Sequence, residues 1–302
     1  MARQRHNAGY KNVGTRKTRG SLDSEYIFQR SLHHDKYSLG GKVISNRPIL
    51  HLDASKINGI DDKGNPNNGD SLSDEWRCLA TNNYGRQLST AQQVTWYSGN
   101  EGVSSSTLAG GDGANNNPYI YMNADYLHLT PGAVIARGRP FTFIYMHKPS
   151  TRFAIFGYPL ETQSNKGHSS FFWDGNKYYV YHNQGGGVIG SDTNWGTTPL
   201  SAKNNTDHNI IVRRNLSSGE GFGGSATTST TIHYDGNYGF SASNTQNDEL
   251  TLGLLGRATS SFYSIGRLYE VLAFDSYLSN ADLNKIGSYL VTKYGISWTD
   301  FS

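Results

Sequence analysis

Cysteine is nearly absent from this sequence of 302 residues, which contains only Cys78. A single thiol excludes an intramolecular disulfide and a metal site built from paired cysteines. The sequence also has no run of 18 apolar residues, so it predicts no membrane-spanning helix and no membrane insertion. Its N-terminus lacks the apolar core of a signal peptide, and we therefore expect synthesis in a cytoplasm without export by that route.

Charged side chains are also scarce, at 17% of the chain, whereas tyrosine and glycine are abundant, with 20 and 35 residues. Tyrosine favours strands and glycine marks turns, so this composition predicts a β-rich protein with many loops. Aromatic residues make up 12% of the chain, which argues against general disorder. The length is enough for one large domain or two small ones.

Positive charge is concentrated at the N-terminus. Residues 1–36 contain eight Lys or Arg and three Asp or Glu, a net charge of +5, whereas the rest of the chain carries −2. We predict a basic arm over residues 1–45 and a single domain over residues 46–302. The side chains expected to anchor the arm to a partner are Arg3, Arg5, Lys11, Arg16, Lys17 and Arg19. An acidic protein surface is the favoured partner over nucleic acid, because only Tyr10 is interleaved with these charges.

Short stretches rich in strand-forming residues recur through the domain and predict strands. The clearest hairpin is SSFFWDGNKYYVYH, residues 169–182, whose turn is Asp174-Gly175, because Asp-Gly tolerates the positive φ of a tight hairpin turn. The other predicted strands cover residues 48–54, 119–123, 125–129, 140–147, 208–216, 227–239, 249–256 and 267–275. Many short strands joined by turns predict a β-sandwich or jelly roll.

Residues 56–118 have mostly the composition of loops, as in NGIDDKGNPNNGD and SSSTLAGGDGANNNP. An unanchored loop of this length would be unusual in a folded domain, so apolar side chains are needed to attach it to the core. We expect these anchors to be Trp76, Leu79, Leu88, Val94 and Trp96.

One helix is predicted, over residues 280–294. Ser279 suits its N-cap, and Asp282 places an acid near the positive end of the helix. Gly295 is suited to end it. Apolar residues at helical spacing form one stripe, which consists of Leu283, Ile286 and Leu290. A helix with a single apolar stripe needs a folded surface to rest on, so we expect it to cover the sandwich rather than to form a second domain.

The C-terminal pattern resembles the closing signature of laminin-G-like, concanavalin-A-like jelly rolls. Its residues are Gly266, Leu268, Glu270, Val271, Phe274, Leu278, Ser279, Asp282, Ile286, Tyr289, Leu290, Lys293 and Gly295. LHLDAS (50–55) and SDEWRCLATNNYGRQLS (73–89) resemble the opening strand and second segment of those domains. The resemblance implies an all-β fold, a concanavalin-A-like jelly-roll β-sandwich with one short C-terminal helix and an extended basic N-terminal arm. Members of the family include lectin-like modules and some glucanases.

The sequence lacks the carboxylate pattern of the glucanases that share this fold. Those enzymes carry E-x-D-x-E or E-x-D-x-x-E on one strand, and neither spacing occurs here. Glu270 is the one acid inside a strong strand pattern, and we interpret it as a structural carboxylate bonded to backbone or to an arginine. No G-x-S-x-G or P-loop motif occurs either. We therefore expect no enzymatic activity and no catalytic residue.

Aromatic residues are the feature that best suggests a ligand. The candidate carbohydrate-binding residues lie on the predicted hairpin and are Trp173, Tyr178, Tyr179 and Tyr181. A second aromatic segment contains Tyr119, Tyr121 and Tyr126. The alternative is that about half of these rings lie in the core and the others at sheet edges.

No cofactor and no metal site are predicted, with one candidate region left open for calcium. DDKGNPNNGD, residues 61–70, offers the oxygen ligands that calcium prefers, but without the spacing of an EF-hand loop.

A lectin-like jelly roll without an export signal is explained if it belongs to a phage virion, which is made in the host cytoplasm and released by lysis. The leading hypothesis is a non-catalytic structural or adhesion protein of a virion, either a capsid decoration or a tail or fibre component. The arm would bind capsid or tail proteins, and the jelly roll would face outward towards a host surface glycan; a homo-oligomer is compatible with this role. The alternatives are a cellular carbohydrate-binding protein and a degenerate glucanase-like hydrolase.

Overall fold

The computed structural model describes the chain from residue 37 onwards, with gaps. The residues described are 37–59, 65–72, 75–87, 89–103, 107–135, 139–150, 153–157, 169–173, 178–184, 187–189, 207–216, 228–244, 250–259 and 262–302. The chain divides into two compact units, Met1–Arg47 and Pro48–Ser302. In the first unit, the described part is an antiparallel hairpin of β1 (Tyr37–Leu39) and β2 (Lys42–Ile44).

The second unit is built from short antiparallel strands, as the sequence predicted. They are β3 (Leu50–Asp53), β4 (Trp76–Arg77), β5 (Tyr84–Arg86), β6 (Thr95–Tyr97), β7 (Tyr119–Asn123), β8 (Leu127–Ile135), β9 (Phe141–Pro149), β10 (Phe153–Gly157), β11 (Ser169–Trp173), β12 (Tyr178–Gln184), β13 (Gly187–Ile189), β14 (His208–Leu216), β15 (Thr228–Tyr234), β16 (Asn237–Asn244), β17 (Leu250–Leu255), β18 (Arg257–Thr259), β19 (Phe262–Tyr263) and β20 (Ile265–Phe274). The predicted segment 227–239 contains one more turn than expected, because Asp235 and Gly236 take positive φ and start a hairpin between β15 and β16.

Two sheets form the sandwich. We call one the front sheet; its strand order is β13-β12-β11-β10-β17-β8-β5-β4. The other, the back sheet, has the order β16-β15-β14-β9-β20-β7-β6, with β3 also paired to β20. Strand β20, near the C-terminus of the chain, lies between β9 and β7 in the middle of the back sheet. The C-terminal part of the chain therefore supplies a central strand of this sheet. The predicted all-β sandwich is confirmed.

Aromatic side chains fill the space between the sheets. Phe141, Phe143 and Tyr145 of β9 are almost fully buried, and so is every other residue of this strand. Phe143 meets Phe156 of the front sheet at 5.2 Å between ring centroids, edge to face. This cross-sheet contact marks the core of the sandwich.

Helix α1 (Asn280–Tyr294) covers the outer side of the back sheet, with the predicted bounds. The Ser279 hydroxyl accepts a hydrogen bond from the backbone N–H of Asp282 at 3.1 Å. Gly295 ends the helix in the left-handed region, at φ 67°. The stripe of Leu283, Ile286 and Leu290 is buried, as predicted. No helix in the described parts of the chain is long and apolar enough to cross a bilayer.

The long stretch 56–118 is attached to the body through its tryptophans. The indole N–H of Trp76 donates to the backbone carbonyl of Asp53 at 3.0 Å, and that of Trp96 donates to Ala54 at 2.8 Å. Val94 is also buried, which confirms three of the five predicted anchors. Leu79 is only half-buried, and Leu88 lies outside the described residues. The stretch is more regular than its composition suggested, since it contributes β4, β5 and β6.

A buried arginine binds residues 107–112, near the C-terminal end of this stretch. The sequence did not indicate this role for an arginine. Arg267 of β20 donates to the backbone carbonyl of Leu108 at 2.8 Å and to those of Thr107 and Asp112. Its guanidinium lies 4.2 Å from the ring centroid of Tyr119. Charge-assisted hydrogen bonds to three carbonyls fix the loop against the back sheet.

Candidate functional site

Glu270 lies in a closed polar network between the back sheet and α1. In β20 it is the register partner of Asp53 in β3, and the helix passes over this face. The hydroxyls of Tyr289 and Tyr294 donate to its carboxylate at 2.9 and 2.8 Å. Nε2 of His51 lies 2.7 Å from Oε1, and because a carboxylate cannot donate, the imidazole supplies the proton of this hydrogen bond. Both oxygens of Glu270 are therefore occupied.

Lys293 of α1 supplies the positive charge of this network. Its ammonium lies 2.9 Å from Oε2 of Glu270 and 2.6 Å from Oδ2 of Asp53. Burial by itself would raise the pKa of Glu270, but the Lys293 ammonium and the His51 hydrogen bond outweigh it and hold the pKa at about 2. Burial likewise opposes the charge on Lys293, but the two carboxylates prevail and raise its pKa. The buried pair is thus ionised at neutral pH.

Through these hydrogen bonds and this ion pair, Glu270 links α1 to the back sheet. His51, Asp53 and Glu270 bring three potential metal-ligand atoms within 4.8 Å of one another, but the Lys293 ammonium already lies within hydrogen-bond distance of both carboxylates. The network therefore carries its own counter-cation. The interpretation of Glu270 as a structural carboxylate agrees with these contacts, but its partners are a lysine, a histidine and two tyrosines rather than backbone or an arginine.

The sequence-predicted carbohydrate residues lie in the front sheet, where only their backbone is described. β11 and β12 form the predicted hairpin. Their register pairs Trp173 with Tyr178, Phe172 with Tyr179 and Ser170 with Tyr181. The side chains of these residues and the Asp174-Gly175 turn lie outside the described part of the structure, so this assignment stays a prediction.

The second aromatic segment belongs mostly to the packed interior. Tyr119 is fully buried and stacks on Tyr97 at 5.2 Å between ring centroids, and Tyr126 is almost fully buried. Only Tyr121 of this set is half-buried. Burial rather than ligand binding therefore accounts for most of these rings.

The outer surface of the front sheet carries a group of polar side chains that sequence reasoning missed. Leu127 and Leu129 of β8 are buried, so His128 between them faces outward. The register places Arg86 of β5 directly opposite His128. It also pairs Arg77 of β4 with Tyr84 of β5, two residues before Arg86 and therefore on the same side.

Arg257 of β18 completes this surface beside His128. Its guanidinium lies 4.8 Å from the ring centroid of Tyr126 and 5.0 Å from that of Tyr263. The ring of Tyr126 in turn contacts the imidazole of His128 at 5.3 Å. We call the set of Arg77, Tyr84, Arg86, Tyr126, His128, Arg257 and Tyr263 the arginine face.

The charge of the arginine face comes from its guanidinium groups. Burial and the neighbouring Arg257 both lower the pKa of His128, so its imidazole is neutral at pH 7 and acts as a hydrogen-bonding group. Glu75 lies beside two of the arginines, 3.3 Å from Nη2 of Arg77 and 4.0 Å from Nη1 of Arg86. The side chains of Arg77 and Arg86 remain 62% and 40% exposed, which leaves them accessible to a ligand.

One signal in the sequence could have found part of this face. The alternation Leu127-His128-Leu129 places a polar side chain opposite two core residues, which predicts an outward His128. The approach of Arg257 could not be predicted in this way, because it depends on where β18, which pairs with β19, packs in the folded protein.

The other predicted elements give little support to a site. The arm residues Arg3, Arg5, Lys11, Arg16, Lys17 and Arg19 all lie outside the described residues, as do residues 61–64 of the calcium candidate. In the described part of that segment, Oδ2 of Asp70 accepts hydrogen bonds from the backbone and side-chain amides of Asn67 at 3.2 and 2.9 Å. Calcium binding there stays the open alternative to the predicted absence of a metal.

Comparison with known proteins gives structural similarities and no sequence match. No protein-family model and no curated protein matches this sequence. Domain 4 of AbnA, an extracellular GH43 arabinanase of Geobacillus stearothermophilus solved with arabinotriose, is similar with a TM-score of 0.46 and 11% identity, over 80% of this chain and 98% of that one. The Ruminococcus gnavus sialidase CBM40 bound to sialyllactose has a TM-score of 0.33 and 9% identity, over 50% and 83% of the two chains. A SAP-like pentraxin of Limulus polyphemus has a TM-score of 0.36 and 12% identity, over 51% and 72%. All three TM-scores are below 0.5, so the fold assignment stands on the strand order and packing described above.

Proposed function

We propose that this chain is a non-catalytic carbohydrate-binding adhesion domain. The observation that carries the proposal is the arginine face, where the half-buried ring of Tyr263 lies beside Arg257 and 6.3 Å from the ring of Tyr126. An aromatic ring offers a flat apolar surface to the C–H face of a sugar, and a guanidinium donates hydrogen bonds to its hydroxyls. His128 adds a neutral hydrogen-bonding group next to them.

The experiment that tests this proposal is a glycan array followed by titration of the best ligand against matched variants. Tyr263→Ala should weaken binding about tenfold or more, equivalent to about 1.4 kcal/mol. Tyr277→Ala is the control, because this exposed tyrosine follows β20 of the back sheet. Tyr179→Ala tests the hairpin predicted from sequence, which belongs to the same front sheet. Equal affinities of wild type and Tyr263→Ala would refute the assignment of the site, and no binding to any glycan would refute the function.

The non-catalytic part of the proposal is supported by the carboxylates. The sequence has no carboxylate pair with glucanase spacing, and both oxygens of Glu270 are engaged beneath the helix. Hydrolysis needs an acid and a base that reach the scissile bond. Steady turnover of a polysaccharide that is abolished by changing one Asp or Glu would overturn this part.

We also propose that residues 1–36 anchor the domain to capsid or tail proteins of a virion. The supporting observation is their net charge of +5, against −2 for the remainder of the chain. Ordering such an arm costs about 1–2 kcal/mol per residue in backbone entropy, which a partner surface would have to offset.

The test compares full-length protein with a variant that lacks residues 1–36, added to particles from which the protein is missing. This deletion keeps the hairpin of β1 and β2. The truncated protein should remain folded but fail to incorporate, and incorporation of the full-length protein should weaken with salt because exposed charges are screened beyond about 10 Å at 0.1 M. Equal incorporation of both would refute the anchoring role.

A further inference from the structure

We infer that Arg213, where β14 meets the start of α1, forms a binding site for one carboxylate group. This site lies on the back sheet, and it is separate from the arginine face of the front sheet. It combines a buried guanidinium that has no carboxylate beside it, a donor edge of that guanidinium that is not engaged, and the positive end of a helix.

Strand register places Arg213 on the outer side of the back sheet, under the helix. Its partner across the strands is Thr142 of β9. Phe143, the next residue of β9, contacts the front sheet, so the side chains of Thr142 and Arg213 point the other way. Nη1 of Arg213 donates to the backbone carbonyl of Leu278 at 3.2 Å and to Oδ1 of Asn280 at 3.0 Å. Arg213 therefore links β14 to the start of α1.

The charge of Arg213 is not balanced by any acid among the residues that the structure describes. Arg213 is only 5% exposed, and it forms no ion pair with a described Asp or Glu. Burial lowers its pKa, and the opposing influence comes from the phenol of Tyr277 rather than from a carboxylate. Asp282, in the first turn of α1, pairs with Lys285 at 2.7 Å. Because buried charges in folded proteins are normally paired, this guanidinium favours a bound anion.

One edge of the Arg213 guanidinium is not engaged. Nε is buried without a hydrogen-bond partner, and Nη2 donates to none of the described residues. The N–H groups of Nε and Nη2 point the same way, an arrangement that binds both oxygens of a carboxylate. The guanidinium lies 4.5 Å from the ring centroid of Tyr277 and 5.1 Å from that of Phe301, which stabilises the cation. Tyr277 is 36% exposed, so a ligand would approach from the side of this ring.

The groups around Arg213 also favour an anion. Asn280 is the first residue of α1, so the positive end of the helix dipole lies beside the guanidinium. Oγ of Ser276 is a second buried group without a hydrogen-bond partner, and the carbonyl of Ser276 accepts from Thr142, the register partner of Arg213. Burial and Arg213 hold the pKa of nearby His233 at about 4, so this imidazole adds no charge at pH 7.

The class of anion follows from the charge and shape of the site. A single guanidinium balances one negative charge, and its planar edge matches the planar carboxylate. A phosphate group, which is mostly doubly charged at pH 7, would bring an unbalanced charge into a buried place. The carboxylate can come from a small molecule or from an acidic side chain of a protein, and the test separates these two sources.

The test observes the Nε–H proton of Arg213 by NMR in full-length protein with nitrogen-labelled arginine, at constant ionic strength. The signal that is missing from Arg213→Lys identifies this group. Acetate should move the signal downfield until it saturates, because the carboxylate accepts a hydrogen bond from Nε. Acetamide, the neutral counterpart of acetate, should leave the signal in place, and phosphate should bind at least about tenfold more weakly than acetate. An end-blocked peptide with one aspartate, titrated in the same way, shows whether a protein side chain can supply the carboxylate.

A matched pair of variants tests whether the unbalanced charge is what attracts the ligand. Asn280→Asp places a carboxylate where Oδ1 of Asn280 already accepts from Nη1, and it should weaken acetate binding at least about tenfold. Ala281→Asp is the control, because it adds the same charge at the next position of the helix, which is exposed. It should leave the affinity for acetate within about twofold. Asn280→Asp also loses the hydrogen bond from Nδ2 to the backbone oxygen of Ser302, so acetate affinity rather than stability is the quantity compared.

Urea unfolding gives a second measurement. Acetate should raise the unfolding midpoint of the wild type and of Arg47→Lys, a control at an exposed arginine, but not that of Arg213→Lys. If Arg213→Lys does not fold, Tyr277→Ala identifies the NMR signal instead, because it removes the ring beside the guanidinium and therefore shifts that resonance. The comparison of Asn280→Asp with Ala281→Asp then decides the question.

Several results would overturn the inference. An Nε–H signal that moves with neither acetate nor the aspartate peptide would show that no carboxylate binds there. Equal responses to acetate and acetamide, or equal affinities for acetate and phosphate, would refute recognition of a carboxylate. Equal acetate affinities of the wild type and Asn280→Asp would refute the role of the unbalanced charge. Glycan binding by Arg213→Lys should match that of the wild type, because the proposed sugar site lies on the other sheet.

Discussion

Replacing Lys293 with methionine removes the cation from between two buried carboxylates while keeping a side chain of similar length. In the wild type, the ammonium lies 2.9 Å from Glu270 and 2.6 Å from Asp53. After the substitution, Glu270 keeps hydrogen bonds from His51 and the tyrosines but has no positive charge beside it. A buried carboxylate without a counter-charge is strongly disfavoured, so the folded state should lose stability.

The size of the loss can be worked out in two ways. The pKa of Glu270 is held at about 2, against an ordinary value of 4.5, and at about 1.4 kcal/mol per unit this difference is on the order of 3 kcal/mol. Removing one partner of a buried ion pair typically costs about 3–5 kcal/mol. We therefore expect Lys293→Met to lower the free energy of unfolding by about 3–5 kcal/mol at pH 7.

Urea unfolding of the wild type and Lys293→Met at several pH values is the assay. In the wild type, Glu270 should contribute fully to the free energy of unfolding above about pH 4.5. This contribution should be lost as the pH falls towards 2, because the pKa of Glu270 is lower in the folded state than in the unfolded state. In the variant, Glu270 should protonate at higher pH, so the deficit relative to wild type should shrink as the pH is lowered from 7 to 4.

The control is Arg77→Met in β4. Arg77 is 62% exposed and pairs at 3.3 Å with Glu75, which is 28% exposed, and such surface pairs contribute about 0–1 kcal/mol. If Lys293→Met costs no more than this control, or if its deficit does not depend on pH, the reasoning about the buried network is refuted.

Two further predictions concern the helix and the outer side of the back sheet. Leu290→Ala should cost about 2–5 kcal/mol in urea unfolding, because the side chain is almost fully buried, whereas Val291→Ala, at an exposed position, should stay within about 0.5 kcal/mol; equal costs would show that the helix stripe is not packed. His233 is buried against Phe301, and burial together with Arg213 lowers its pKa to about 4. The folded state favours the neutral imidazole of His233. The free energy of unfolding should therefore fall as the pH drops from about 6.5 towards 4. His233→Phe should remove roughly 2 kcal/mol of the loss seen between pH 7 and pH 5, and an unchanged pH profile would contradict the assignment.

Local patterns were sufficient to predict the helix and most of the longer strands, but not short strands such as β4, β5 and β6. The helix over residues 280–294 could be bounded to the residue, because Ser279 and Gly295 act on backbone groups within one turn of themselves. Strands such as β9 could be predicted from alternation, since the period of two is a property of the strand itself. The turn at Asp235-Gly236 was missed although Asp-Gly is a hairpin signal, because the surrounding polar residues read as one continuous strand.

The partners across the fold could not be predicted, because they meet only when distant parts of the chain are brought together. Glu270 could be recognised as a structural carboxylate from its isolation in a strand, but His51 lies 219 residues away from it in sequence. From the sequence, Lys293 was only one residue of the C-terminal signature, and its role as the counter-charge of two carboxylates arises from the packing of α1 on the back sheet.

Composition, strand alternation and the caps of the helix predicted an all-β sandwich with one closing helix, because those signals act over a few neighbouring residues. The arginine face was decided only by the tertiary structure. Its guanidinium groups come from β4, β5 and β18, and no spacing in the sequence relates them. They share one surface because the front sheet places β4, β5 and β8 side by side and β18 carries Arg257 up to the rings of Tyr126 and Tyr263.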